Sequence, residues 1–325
     1  MRRKPNMWAN AKWSILVIFA LVLMSETSLS QFGSQNISKL YSKGYFEDVA
    51  KLAPAQISRL SQSGRIEEAS HIAFLTCRTF IQLGRYDEAT QIVDPFISAP
   101  KLRTRFPGSV ASLYLCTAAV SRSRRNFGAA LENLRLAKSI SANDSASLAA
   151  YHLEVGRTLY SAGHDFAAIL WLEKAEKEAL ANGNISIYYD ALRFLSLAWT
   201  AKFYYANALT YAERLVEKSS IGEFEHRNRI AHLELANLLD VTGQPQRSKD
   251  VYLKGLDLST QARVNYHAGQ FLSSLLLRSL YENDIDSAKN YLARLESIDK
   301  QKQFSFECLL GRALVENFKG NRTLS

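Results

Sequence analysis

The sequence predicts an all-α protein built as a right-handed α-solenoid of paired antiparallel helices. The first observation is a recurrence of small residues at intervals of 41, 38, 40, 40 and 40 positions: Ala89, Ala130, Ala168, Ala208, Ser248 and Ala288. Self-similarity at a period of about 20–50 residues is typical of solenoids. The second observation is composition, since only 15 of the 325 residues are Gly and 6 are Pro. So few helix breakers indicate a chain that is mostly helical.

Each repeat is predicted to be two amphipathic helices joined by a tight turn. In the fourth repeat, Gly163 ends a helical apolar pattern, and Ala168, Leu172 and Ala175 continue that pattern at i, i+4 and i+7 on the second helix. The later repeats follow the same order, and a weaker first repeat surrounds Gly44. Turn-rich stretches at 61–64, 106–109 and 182–184 fall where the period places loops between repeats. We therefore expect one continuous array over residues 31–325.

The array is expected to contain about seven helix pairs and one terminal helix. An eighth unit begins at Phe304, and the sequence stops at Ser325, where its second helix would start. A capping helix is the favoured interpretation because terminal repeats are usually atypical. The alternative is that the sequence is cut from a longer polypeptide.

Residues 1–30 are predicted to be a cleaved signal peptide. Basic residues precede an almost continuously apolar stretch at 13–24, and Ser28-Leu29-Ser30 supplies small residues for cleavage before Gln31. The apolar run would extend about 18 Å as a helix, less than the roughly 30 Å of a bilayer core. We expect an exported protein, periplasmic or extracellular, without a stable membrane span. The alternative is a chain anchored in the membrane by an uncleaved signal.

The net charge is basic, +9 for the whole chain at pH 7. Residues 95–131 contain no acid and six basic residues. Lys101, Arg103 and Arg105 are expected in a loop between repeats, and Arg122, Arg124 and Arg125 at a turn within a repeat. A helix of about 21 Å would separate these groups, more than the roughly 8 Å screening length, so two independent patches are predicted. They could attract acidic proteins, anionic polymers or lipid headgroups, or simply be solvated.

The three cysteines are predicted to be buried small apolar residues. Cys77 and Cys116 are 39 positions apart, in nearly equivalent places of neighbouring repeats, and Cys308 is far from both. The axes of packed helices lie about 8–10 Å apart, whereas a disulfide needs Cα atoms within about 7 Å. We therefore expect no disulfide framework.

These repeats resemble the tetratricopeptide repeat family, whose pattern places a small residue midway along the first helix, then Gly, an aromatic residue, and Ala in the second helix. The matching residues are Gly156, Gly163, Ala168 and Ala175 in the fourth repeat, and Cys77, Gly84, Tyr86 and Ala89 in the second. The resemblance covers about residues 34–320. The period of about 40, rather than 34, leaves room for helices nearly one turn longer. Helical solenoids of the HEAT or armadillo type remain the alternative.

The resemblance also implies a place for a ligand, because in this family the first helices line a concave groove that holds extended peptides or a partner's helix. The residues in matching rows are Phe74, Arg78, Arg122, Leu153, Arg157, Tyr160, Arg193 and Asn237. Arginine can hold a carboxylate by two parallel hydrogen bonds, so an acidic peptide or protein is a reasonable ligand. The alternative is that these arginines are solvated or paired within their helices. The Lys/Asn clamp that some relatives use for a terminal carboxylate is not reproduced.

No sequence motif indicates catalysis. The chain lacks GxxxxGKS/T, GxGxxG and GxSxG, and its six histidines are scattered, so neither an enzyme nor a cofactor or metal site is expected. The expected function is a non-catalytic exported scaffold for protein–protein interaction. The alternative is the sensory or regulatory repeat region of a longer signalling or protease polypeptide. Nucleic acid is not expected as a partner because of the export signal.

Overall fold

A computed structural model describes residues 33–140, 145–219, 225–299 and 304–322, and the regular elements in these ranges are all helices. The all-α prediction is confirmed. The predicted signal peptide at 1–30 lies outside the described residues. Within the described ranges, no helix combines the length and apolar character that a bilayer crossing needs. Contacts between Cα atoms divide the chain into two compact units, Met1–Ala162 and Gly163–Ser325.

The described part of the first unit contains eight helices. They are α1 (33–43), α2 (Phe46–Gln62), α3 (Ile66–Gln82), α4 (Tyr86–Ile97), α5 (Pro100–Arg105), α6 (Pro107–Ser123), α7 (Phe127–Ile140) and α8 (Ser145–Ser161). Helices that are adjacent in sequence pack together, and α6 also packs on α3, α4 and α8. Because α3, α6 and α8 are first helices of the predicted pairs, their packing is the repeat-to-repeat contact.

The described part of the second unit also contains eight helices. They are α9 (Asp165–Ala181), α10 (Ile185–Ala201), α11 (Tyr205–Ser219), α12 (Glu225–Val241), α13 (Pro245–Gln261), α14 (Asn265–Tyr281), α15 (Ile285–Ile298) and α16 (Ser305–Arg322). Most of them have 17 residues, and each helix begins 20 positions after the beginning of the previous one. Consecutive helices from α9 to α16 pack against each other, and α12 also contacts the first helices α10 and α14.

The turns between helices share one design. At the end of α3, the N–H of Arg85 donates to the carbonyl of Phe80 at 2.8 Å, and the intervening Gly84 has φ +71°. This is a Schellman ending, in which a left-handed residue lets the next N–H reach back to the last helical turn. Arg85 then begins α4, since its carbonyl accepts from the N–H of Ala89 at 3.1 Å. Three residues therefore suffice to reverse the chain.

The same turn recurs within and between the predicted pairs. Left-handed residues follow one another at intervals of about 20 or about 40 positions: Gly44, Gly64, Gly84, Arg125, Gly163, Gly183, Phe203, Gly243, Arg263 and Asn283. The sequence pattern reveals a period of 40 residues. The backbone shows that the turn within a helix pair and the turn between pairs have the same conformation. Four of these positions carry a side chain in a conformation that favours glycine.

The recurring small residues are fully buried. All six residues that define the sequence period, from Ala89 to Ala288, have 0% exposure. Ser248 keeps its place among the alanines because its hydroxyl donates to the carbonyl of Ala236 at 2.9 Å, which satisfies the buried polar group. Glycine serves close approach elsewhere: a Cβ on Gly255 would lie 2.2 Å from the ring of Phe271.

Candidate functional site

The predicted site residues of the first unit lie on its first helices. Phe74 and Arg78 are on α3, Arg122 is on α6, and Leu153, Arg157 and Tyr160 are on α8. Phe74 is half-buried against the apolar core, Leu153 is buried and Tyr160 is half-buried. These three side chains therefore pack in the fold, whereas the arginines form a separate cluster.

Three arginines from three first helices converge on one carboxylate, that of Glu154 on α8. The Nη1 atoms of Arg78 and Arg157 donate to Glu154 Oε1 at 2.7 and 2.9 Å. Nη2 of Arg122 lies 3.5 Å from Glu154 Oε2, close enough for an ion pair but without the geometry of a hydrogen bond. The arginine cluster (Arg78, Arg122, Arg157 and Glu154) thus joins residues 76 positions apart in the sequence.

The arginine cluster is largely removed from water. The side chains of Arg78, Arg122 and Arg157 are 13, 10 and 9% exposed, and that of Glu154 is 6% exposed. Burial alone would raise the pKa of Glu154, but the three guanidiniums more than reverse this effect, so its pKa lies below the usual range. Glu154 is therefore ionised at neutral pH.

Arg122 is the least compensated cation of the cluster. Burial lowers the pKa of its guanidinium, and attraction to Glu154 only partly offsets that effect, while Arg78 lowers the pKa further. Its Nε and Nη2 atoms are buried and have no hydrogen-bond partner among the described residues. Buried N–H groups usually have an acceptor, so their lack of one at Arg122 is unusual.

A disulfide between Cys77 and Cys116 joins α3 to α6 beside this cluster, with the Cα atoms 6.5 Å apart. The prediction that both thiols are free was wrong. It compared the separation of helix axes with a Cα distance, but Cα atoms lie about 2.3 Å from their axis, so facing residues come closer than the axes do. Cys308 is free and buried, as predicted.

The two expected basic patches are not arranged as the sequence suggested. Lys101, Arg103 and Arg105 lie in the short helix α5 instead of a loop. Arg122 belongs to the arginine cluster, and Arg124 forms an ion pair with Asp87. The acids that pair with these two arginines, Glu154 and Asp87, lie outside residues 95–131 in the sequence. The absence of acids within that stretch therefore did not reveal these ion pairs.

The predicted site residues of the second unit have local partners. Nε of Arg193 on α10 donates to Glu234 Oε1 on α12 at 2.6 Å. Asn237 on α12 is exposed, and the Tyr252 hydroxyl donates to its Oδ1 at 2.6 Å. Arg278 on α14 pairs with Asp240 at 2.6 Å and with Glu282 at 2.8 Å. First helices of successive repeats are thus linked by ion pairs across 38 to 41 residues.

Buried histidines form a second polar group in this unit. Nε of Arg229, which is 1% exposed, donates to Nδ1 of His267 at 3.0 Å. Burial lowers the pKa of His267 to about 4, helped by the charge of Arg229. Burial likewise lowers the pKa of His226 to about 3, with Arg227 as the next cause. Both imidazoles are therefore neutral in the folded protein at neutral pH.

The sequence prediction named the three arginines but omitted Glu154 and both disulfide cysteines. The available signal for Glu154 was an acid between Leu153 and Val155, in the buried stripe of a helix that also carries Arg157. A buried acid needs a cationic partner, so its position pointed to a nearby arginine. No group of three or more potential metal ligands occurs in the part of the chain that is described.

Comparisons with known proteins give structural likeness only. No protein-family model and no curated protein matches the chain. Among solved structures, it is similar to a signal-transduction ATPase of Pyrococcus horikoshii with a tetratricopeptide repeat sensor, at TM-score 0.66 and 14% identity over 88% of this chain. This chain spans 44% of that ATPase, less than half its length.

Two further similar structures are complexes, one with a factor and one with a peptide. A Rap protein in complex with competence and sporulation factor has TM-score 0.59 and 13% identity, covering 88% of this chain and 80% of that one. NprR in complex with its cognate peptide NprX has TM-score 0.50 and 12% identity, covering 85% and 87%. At such identities the likeness shows the fold alone. The chain therefore has the fold of a helical repeat array like that of tetratricopeptide repeat proteins.

Proposed function

We propose that this chain is an exported, non-catalytic interaction scaffold that binds a peptide or a partner helix on its first helices. The observation that carries this proposal is the arginine cluster. Three successive first helices direct cationic side chains to one place, and Arg122 keeps N–H groups without acceptors. Burying an under-compensated charge costs stability, so its presence is better explained by binding than by folding. An acidic segment in the ligand would complement it.

The comparisons support a protein or peptide as the ligand. The Rap protein and NprR are similar in fold, and their structures contain a factor and a peptide, respectively. Predicted site residues of both units lie on first helices, and they include the exposed Asn237. Nucleic acid remains an unexpected partner, since two of the basic residues predicted to form surface patches are engaged by Glu154 and Asp87.

Export is supported by the disulfide together with the predicted signal peptide. Disulfides persist in oxidising compartments and are rare in reducing ones. Protein purified from its native host should begin at Gln31, and Cys77 and Cys116 should resist alkylation unless a reductant is added. An intact Met1, or free thiols at both positions, would contradict export.

The binding face can be tested by photo-crosslinking in the native host. A photoreactive residue at Asn237, on first helix α12, should cross-link to a peptide or protein partner that mass spectrometry can identify. The matched control is the same group at Leu253, which is 39% exposed on second helix α13. Equal cross-linking from both positions, or none from Asn237, would contradict a ligand on the first-helix face.

A second candidate function is the sensory region of a longer signalling protein. The similarity to a tetratricopeptide sensor within a larger ATPase favours it, because this chain spans only 44% of that protein. The intact mass of the native protein, detected with an antibody to the repeat array, separates the two. A mass near 33 kDa is expected for an isolated scaffold of about 295 residues, and a much larger mass supports the sensory region.

A further inference from the structure

We propose that an apolar pocket beside the second helices α2 and α4 of the first unit binds one molecule of a fatty acid. The pocket has a volume of about 330 Å³, a size found among sites for small ligands. Its apolar walls come from α2, the start of α3, α4 and α5: Ile57, Ile66, Ile92, Pro95, Phe96 and Leu102. None of the predicted site residues lines it, so this inference goes beyond the proposed function and is independent of it.

The pocket lies where the regular succession of helices is interrupted. Helix α4 has 12 residues, whereas α3 and α6 have 17, and the short α5 is inserted between α4 and α6. The lining residues Ile66, Ile92 and Leu102 are half-buried, and Gln91 and Pro95 are exposed. The cavity is therefore open to solvent, and a ligand can reach its walls without displacing the buried core.

The walls of the pocket suit a hydrocarbon chain better than a peptide. Ser61 and Gln91 are the two polar side chains of the lining, and the other side chains are apolar. A peptide backbone would bring N–H and C=O groups that these few polar atoms cannot satisfy, and unpaired polar groups removed from water weaken binding. A hydrocarbon chain has no such groups, and each methylene that it buries favours binding.

The charges around the pocket favour an anionic head group on that chain. Residues 57–66 contain two bases and no acid, and residues 91–105 contain three bases and one acid, Asp94. Arg65 pairs with Glu68. The other four bases have no carboxylate partner among the described residues: Arg59, Lys101, Arg103 and Arg105. Their excess positive charge is complementary to a carboxylate.

Lys101 and Arg105 are the bases best placed to meet the head group. Lys101 directly precedes the pocket residue Leu102, and Arg105 follows it by three positions, which brings it to the same side of α5. Both residues are exposed, whereas Arg103 donates from Nη2 to the Tyr114 hydroxyl on α6 at 2.7 Å. A carboxylate at the α5 end of the pocket would therefore meet two cations.

The test is isothermal titration calorimetry with dodecanoate below its critical micelle concentration, on the protein as its native host produces it. We expect one bound molecule per chain and a dissociation constant about tenfold lower than for dodecanol, because two exposed ion pairs together contribute about that factor. The double variant Lys101→Gln, Arg105→Gln should lose this preference and bind dodecanol as before. Lys39→Gln, which changes an exposed base of α1, is the matched control and should bind both molecules as wild type does.

Filling the pocket gives a second, independent readout. Ser61→Phe adds bulk to its wall and should abolish binding of both molecules, whereas Ser139→Phe makes the same exchange at an exposed position of α7 and should leave binding unchanged. If Ser61→Phe does not fold, the comparison of dodecanoate with dodecanol on the double variant decides the outcome.

Three results would overturn the inference: no saturable binding of dodecanoate, binding that survives Ser61→Phe, or equal affinity of wild type for dodecanoate and dodecanol. Binding to vesicles of anionic phospholipid without binding of free dodecanoate would also overturn it, because the ligand would then be a membrane surface. None of these results bears on ligand binding by the first helices, so the proposed scaffold function stands or falls separately.

Discussion

Glu154 and Arg122 belong to the same cluster, but burial affects their contributions to stability in different ways. Glu154 accepts hydrogen bonds from two arginines through Oε1 and lies close to a third, although its buried Oε2 has no hydrogen-bond partner among the described residues. Arg122 has one distant partner and buried N–H groups without acceptors. Breaking a buried pair is costly when it leaves charges unpaired, whereas a poorly compensated charge contributes little.

We expect Glu154→Gln to lower the free energy of unfolding of the first unit by about 3–5 kcal/mol, because three guanidiniums lose their shared carboxylate. Arg122→Met should change it by less than about 1 kcal/mol, since methionine fills apolar space and removes a poorly paired charge. Urea denaturation of both variants measures this. A loss for Arg122→Met as large as that for Glu154→Gln would show that Arg122 serves the fold. Of the two alternatives for Arg157, solvation does not apply, because it is only 7% exposed, whereas pairing within its helix does, through Glu154.

The two buried histidines, His226 and His267, should make the free energy of unfolding depend on pH. Their folded pKa values of about 3 and 4 lie below the ordinary value of 6.5, so below pH 6.5 the unfolded chain binds more protons than the folded one. The free energy of unfolding of the second unit should therefore fall as pH drops from about 6.5 towards 4. His267→Gln, which keeps an acceptor for Arg229, should reduce the slope by about 1 kcal/mol per pH unit. An unchanged slope between pH 6.5 and 5 would contradict neutral burial of His267.

At the scale of the helices, the connecting turn is the repeated unit of construction. Glycine at the left-handed position costs little, whereas Arg125, Phe203, Arg263 and Asn283 adopt φ between 55° and 63° with a side chain attached. Left-handed backbone is unfavourable by roughly 1–2 kcal/mol for most residues with a Cβ. Replacing such a residue by glycine should relieve this strain without disturbing the core.

We expect Arg263→Gly to raise the free energy of unfolding by about 1 kcal/mol, because Arg263 is exposed at the end of α13. The opposite substitution, Gly243→Ala, should lower it by a similar amount. A Cβ at Gly243 would meet nothing within 4 Å, so the change isolates backbone strain from crowding. Thermal denaturation of the two variants tests this. Destabilisation by Arg263→Gly would show that this arginine makes a stabilising interaction in solution.

The helices were predictable from the sequence because their signals are local. Ala89, Gly163 and Ser248 mark a contact or a turn at a fixed distance along the chain, and the structure places each as expected. Only part of the arginine cluster was predictable. The row of arginines follows from the repeat period, but Glu154, to which they pair, lies two repeats after Arg78 in the sequence. The disulfide depends on a distance between helices that no local pattern contains.

At the scale of the whole molecule, each unit has its own core, and the first unit has a covalent link that the second lacks within its described residues. The disulfide joins two first helices across 39 residues, and these helices carry Arg78 and Arg122 of the arginine cluster. It therefore stabilises the spacing between α3 and α6, and with it the positions of Arg78 and Arg122. The proposed export would preserve this link, because disulfides persist in oxidising compartments.

Replacing both cysteines by alanine should lower the free energy of unfolding of the first unit by about 2–4 kcal/mol, as expected for the loss of a loop of this length. The second unit should be unaffected. The decrease should appear in wild type only after addition of a reductant, and the double variant should not respond to reductant. A first unit whose stability is equal with and without reductant would contradict a stabilising disulfide.

The central claim, that first helices bind the ligand, is tested most directly by hydrogen–deuterium exchange. The measurement compares the free chain with the chain bound to the partner recovered through the Asn237 cross-link. We predict slower exchange in α3, α6 and α8, which carry the arginine cluster, and in α12, with little change in the second helices α4, α7, α11 and α13. Protection concentrated in those second helices would contradict the account.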